Sequence, residues 1–99
     1  MNPHARVYQT NMALGASALD KVISTYDVAI AACHNQNNKQ ACDALCLLLQ
    51  SLRSSANKDL AEQFCLFYSE CGAMIHQLRY AEVESMLITV KRSWSKLDN

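Results

Sequence analysis

Along this chain apolar residues return at steps of three and four, and no stretch alternates apolar with polar. That spacing gathers them on one face of an α-helix and argues against half-buried strands, whose period is two. Four such segments can be traced. In the first, Leu19, Val22, Ile23, Tyr26, Ile30 and Cys33 follow a capping-box-like start at Ser17-Ala18-Leu19-Asp20. There the serine oxygen can accept an orphan amide hydrogen while the acid favours the positive helix end. The polar run His34-Asn35-Gln36-Asn37-Asn38 ends this helix and offers an asparagine cap to the next. The second segment spans about Lys39 to Arg53 and is closed by Ser54-Ser55-Ala56-Asn57, whose asparagine can cap a third. The third carries Leu60, Phe64, Phe67, Tyr68 and Cys71, and the fourth Val83, Leu87, Val90, Trp94 and Leu97.

The turn between the third and fourth helices belongs within residues 72–80. Gly72 is suited to the position just past a helix end, and the early end of the window is the expected stop. Apolar spacing nevertheless continues through Ile75 and Leu78 before it slips phase at Tyr80. With only two glycines and one proline, little punctuation is left for hairpins. Four helices joined by short loops should pack as an antiparallel four-helix bundle, so the expected class is all-α. Residues 17–99 form the bundle and residues 1–16 an N-terminal arm, in one domain covering 1–99. The arm has no helical stripe of its own, yet it holds Pro3, Tyr8, Gln9 and Asn11. A tyrosine ring on a short polar arm is stabilised only by docking into a groove elsewhere; the alternative is simple fraying.

The second helix carries more apolar surface than one neighbour requires. From Ala41 to Leu49 it reads ACDALCLLL, with Asp43 the sole polar residue. Ala41, Leu45, Leu48 and Leu52 can form a core stripe, extended by Cys42, Cys46 and Leu49, which leaves Ala44 and Leu47 on flanking faces. An apolar residue facing outward on a small protein suggests a surface that is covered part of the time. Leu47 is the residue in question.

Composition adds exclusions. Half of the 99 residues are apolar, and a chain of this size can bury roughly 60–70% of its unfolded surface. Nine basic and nine acidic residues cancel, so there is no nucleic-acid footprint. Lys91, Arg92 and Lys96 fall in a helix's last turns, where they complement its dipole. The longest uncharged apolar run, Ala44 to Leu49, is too short to cross a bilayer, and Pro3, His4 and Arg6 interrupt any signal-like start. The five cysteines are odd in number and form no CxxC, so they read as buried reduced thiols in a cytoplasmic protein.

Chemistry is sparse. Cys33 and His34 are helix neighbours and point about 100° apart, so they make no dyad. Cys42 and Cys46 share a face and, with Cys33 or His34, could hold a metal, but structural zinc sites use tighter pairs, and packing is the simpler account. Glu82 and Glu84 face different ways and suit a helix start better than a paired acid mechanism. No phosphate loop, nucleophile elbow or HExxH is present. Neither enzyme chemistry nor a cofactor is indicated. Tyr26, Tyr68, Tyr80 and Trp94 lie at helical spacing and should be core, with their polar tips at the rim.

Several segments carry a resemblance. Asn2-Pro3 followed by Val7-Tyr8-Gln9-Thr10-Asn11 resembles the N-P-Y and A-Y-Q-x-N opening of the FliS flagellin export chaperones. Ala16-Ser17 and Thr25-Tyr26-Asp27-Val28-Ala29-Ile30 are similar to that family's A-S-P entry and L-Y-D-G-A-I segment. Ala81-Glu82-Val83-Glu84, with Trp94 beyond, resembles its final helix. His4 and Ala18 depart from the pattern, and the third helix lacks the family's tyrosine- and arginine-rich character. The resemblance implies a cytoplasmic four-helix bundle that binds the disordered C-terminal segment of flagellin in apolar grooves. Such a protein prevents premature polymerisation and delivers its client to the export apparatus, whose components are further partners. In that family the arm can occupy part of the client groove on the free protein, which would give Tyr8 a place to dock. The candidate partner-binding residues are Tyr8, Gln9, Asn11, Tyr26, Ile30, Leu47 and Leu48. The alternatives are a divergent paralogue with a non-flagellin partner and a helical oligomerisation module, in which Leu47 buries against a second copy as a homodimer.

Overall fold

A computed structural model describes residues 16–54 and 57–96. Among these the chain forms four α-helices and no strand: α1 (Ala16–His34), α2 (Asn38–Ser51), α3 (Lys58–His76) and α4 (Tyr80–Lys96), with a 3-10 turn at Leu52–Ser54 after α2. Helix α1 packs against α2 and α4, and α2 against α3, as in an antiparallel bundle. No helix among the described residues is long and apolar enough to cross a membrane.

The two asparagine caps stand where the polar runs place them. The side-chain oxygen of Asn37 accepts from the Gln40 amide at 3.1 Å, and that of Asn57 from the Leu60 amide at 2.9 Å. Each satisfies one of the orphan donors at a helix start. Helix α1 is already helical at Ala16, one residue before the serine at which the sequence suggests its start.

Helix α3 does not stop at Gly72. It continues one further turn to His76, burying Met74 and Ile75, which a helix ending at Gly72 would leave without a fixed place. The stop is set by Leu78, whose φ of 62° is left-handed. The Leu78 amide donates to the Ile75 carbonyl and the Arg79 amide to the Met74 carbonyl, each at 2.9 Å. This is the Schellman arrangement, here with leucine where glycine is usual. Helix α1 ends the same way: Gln36 has φ 55°, its amide donates to Cys33, and the Asn37 amide donates to Ala32.

The core runs through all four helices. Leu19, Val22, Tyr26, Ala29, Ala32 and Cys33 come from α1, Ala41, Ala44, Leu45 and Leu48 from α2, Tyr68, Cys71, Met74 and Ile75 from α3, and Tyr80, Val83 and Leu87 from α4. Ala44, expected on a flank, is buried, because its small side chain sits where α2 meets α1; Leu52 is only half-buried. Buried alanines on α1 (Ala29, Ala32) and on α2 (Ala41, Ala44) present little bulk to the contact, and interaxial distance follows the side chains there. Tyr26 and Tyr68 do not keep their tips at the rim. Both rings are fully buried, and their hydroxyls bond each other at 2.7 Å, which removes the cost of burying either one. Outside the core, Lys91 of α4 pairs with Asp27 of α1, and His34 lies 3.4 Å from Glu84. Lys91 thus reaches a partner on another helix, where the sequence suggested only a dipole role.

Candidate functional site

Most large apolar side chains are drawn inward, but among the described residues Val28, Leu47, Leu66 and Leu78 are exposed. Two of these, Val28 and Leu47, at 43% and 56%, stand on facing helices α1 and α2. Between them lies a shallow groove of about 190 Å³, lined by Ser24, Thr25 and Val28 of α1 and by Gln40, Asp43, Ala44 and Leu47 of α2. Its shape follows from side-chain size. Ser24, Thr25 and Ala44 are too short to fill the seam, while Val28 and Leu47 stand up beside it.

The groove is nearly free of uncompensated polarity. The Thr25 hydroxyl donates to the Lys21 carbonyl at 2.7 Å, and the Asp43 carboxylate takes a hydrogen bond from Lys39 at 3.0 Å. What is left open is apolar, and it can gain only by being covered.

The other sequence candidates divide. Ile30 is partly buried and packs on the core. Tyr26 and Leu48 are buried at 0% and 1% exposure, so neither presents a side chain to a partner on the surface of this bundle. Tyr8, Gln9 and Asn11 lie outside the described residues, as does the side chain of Trp94. Val28 was missed by the sequence reading, although it falls off the stripe of Leu19, Val22, Tyr26 and Cys33, and that displacement is the signal that could have found it.

No family model, no curated protein and no solved structure matches this chain. Its site is read from its own geometry.

That geometry offers little to covalent chemistry. Among the described residues no three histidine, cysteine or acidic side chains gather to hold a metal ion. The cysteines separate by position: Cys33 and Cys71 are buried, Cys42 is half-buried, and Cys46 and Cys65 are exposed, where the sequence reading had all five inside. Burial, with Glu84 and Cys42 nearby, pushes the Cys33 thiol up to about 11, and burial beside Glu70 and Cys33 pushes Cys71 up to about 12. Both therefore stay protonated and are weak nucleophiles at neutral pH. Glu82 is held below the usual carboxylate range by its hydrogen bond from Arg79 at the start of α4.

Proposed function

We propose that this protein is a cytoplasmic export chaperone of the FliS kind, which covers an apolar helical face in the C-terminal segment of flagellin until the client is exported. The observation that carries the reading is the groove at Val28 and Leu47, an apolar seam between two helices that the fold itself leaves uncovered. It has the form required for helix-in-groove recognition, in which a partner helix lays its apolar stripe between two others. The FliS-like residues at both ends of the chain add the identity of the client, and a groove of this kind suits a client that is disordered before assembly. Ordering such a segment costs roughly 2–5 kcal/mol of the interaction, so the complex can be specific and still release.

Calorimetric titration with the C-terminal segment of the flagellin from the same genome tests this. Saturable 1:1 binding with a large negative heat-capacity change is expected, the signature of coupled folding and apolar burial. Leu47→Asp should abolish that binding and leave helicity and melting unchanged, because Leu47 is exposed and no part of the core. Absence of binding by the folded parent protein refutes the flagellin assignment. A mass that rises with concentration and is restored to monomer by Leu47→Asp would assign the groove to a second copy instead.

A further inference from the structure

Burial is uneven along two of the four helices. The buried residues of α1 are spread from Leu19 to Cys33, and those of α2 from Ala41 to Leu48. Those of α3 are confined to Tyr68, Cys71, Met74 and Ile75, and those described in α4 to Tyr80, Val83 and Leu87. Residues 58–67, the first half of α3, include none that is buried. Leu60, Ala61, Phe64 and Phe67 are half-buried there and the rest are exposed. Helices α3 and α4 run antiparallel from the tight turn at Leu78, so the buried parts of both sit beside that turn and the start of α3 lies at the far end.

At that far end the two helices are held differently. Helix α4 packs along α1 and is tied to it by Lys91 and Asp27. Helix α3 packs on α2 and touches α4 little, and among the described residues no ion pair joins it to another helix. Phe64 and Phe67 lie against Tyr68 of their own helix, with ring centroids 5.8 and 5.7 Å away, contacts that travel with α3 and do not fasten it. Tyr68 is the first residue of α3 to be buried, and its hydroxyl bond to Tyr26 at 2.7 Å fixes the helix to α1 at that point. A segment with few buried apolar contacts opens at a lower free energy than the core it adjoins. We infer that residues 58–67 form a lid, which opens from the bundle as one cooperative unit while α3 from Tyr68 onward stays in place. Opening uncovers the inner faces of Leu60, Phe64 and Phe67 and the end of α2 on which the lid rests, where Leu49 and Leu52 are half-buried. The bundle thereby has a second, transient apolar surface besides the Val28–Leu47 groove, and the lid does not depend on what fills that groove.

Native-state hydrogen exchange of the full chain in low concentrations of urea tests the lid. The amides of residues 64–67 should exchange at least about a hundredfold faster than those of residues 71–75. They should also share one urea slope, smaller than that of global unfolding, because the opening exposes only part of the buried surface. Equal protection in the two halves of α3 overturns the lid. So does protection that rises residue by residue from 61 to 67 with no response to urea, which is the mark of a fraying helix end. Ile75→Ala gives a second reading. It weakens the anchored half whether the lid is closed or open, so exchange at residues 71–75 should rise at least about thirtyfold while exchange at residues 64–67 stays as in the parent. A rise at both places by the same factor would show that α3 opens in one piece, and the lid is then refuted. If Ile75→Ala does not fold, Ile75→Val makes the same comparison, with an expected rise of roughly two- to tenfold at residues 71–75 and none at residues 64–67.

Discussion

Leu78→Gly should make this protein more stable, although it deletes a leucine. Leu78 stands at φ 62°, just past the end of α3, where its amide and that of Arg79 return to the Ile75 and Met74 carbonyls. A residue with a Cβ pays about 1–2 kcal/mol to hold left-handed backbone, because the Cβ crowds the following carbonyl oxygen. Glycine removes that cost but loses about 0.5–1 kcal/mol through the greater freedom of the unfolded chain. The side chain itself returns little, since it is 69% exposed and outside the core. The balance is a gain of about 0.5–1 kcal/mol, or roughly 2–8 °C for a domain of this size. Thermal melting followed by circular dichroism reads it directly. Leu78→Ala is the necessary control, for it removes the same side chain and keeps the Cβ. If alanine stabilises as much as glycine, the effect comes from removing an exposed apolar group and the backbone argument is wrong. If glycine destabilises, Leu78 makes contacts that its exposure does not show.

Four further outcomes are expected. Asn37→Ala and Asn57→Ala should each cost about 1 kcal/mol in urea unfolding, from the lost bond to the Gln40 or Leu60 amide. Ile75→Ala should cost about 2–5 kcal/mol, since Ile75 is fully buried in the turn of α3 that lies beyond Gly72. A thiol reagent should modify Cys46 and Cys65 rapidly in the folded protein and reach Cys33 and Cys71 only on unfolding. The same two buried thiols tie stability to alkaline pH. Their folded values, about 11 and about 12, stand above the ordinary 9.0, so the unfolded chain loses these protons first as pH rises. Their contribution is complete below pH 9 and is lost between pH 9 and about 12, and a Cys33→Ala variant should show a shallower decline.

The helices and their caps were legible in the sequence because they depend on near neighbours. Steps of three and four marked the four segments, and Asn37 and Asn57 each act on an amide three residues on. The ends of α1 and α3 were less legible. Their left-handed positions are filled by Gln36 and Leu78, residues that carry no such signal, while Gly72, which does, sits inside a helix without a left-handed φ. Glycine permits such a turn without compelling one, and buried Met74 and Ile75 outweighed it.

What the sequence determined by itself was the all-α class, the number of helices and the excess of apolar surface on α2, all of which follow from periodicity and composition. Which residues carry that excess was decided only in three dimensions. Leu47 and Leu48 are adjacent and identical in chemistry, yet one is 56% exposed and the other 1%, because a step of 100° around α2 takes the side chain from the groove into the core. The same holds for Tyr26, whose burial depends on Tyr68 arriving from another helix to take up its hydroxyl. Exposure is set by what packs against a residue, and that neighbour stands far away in the chain.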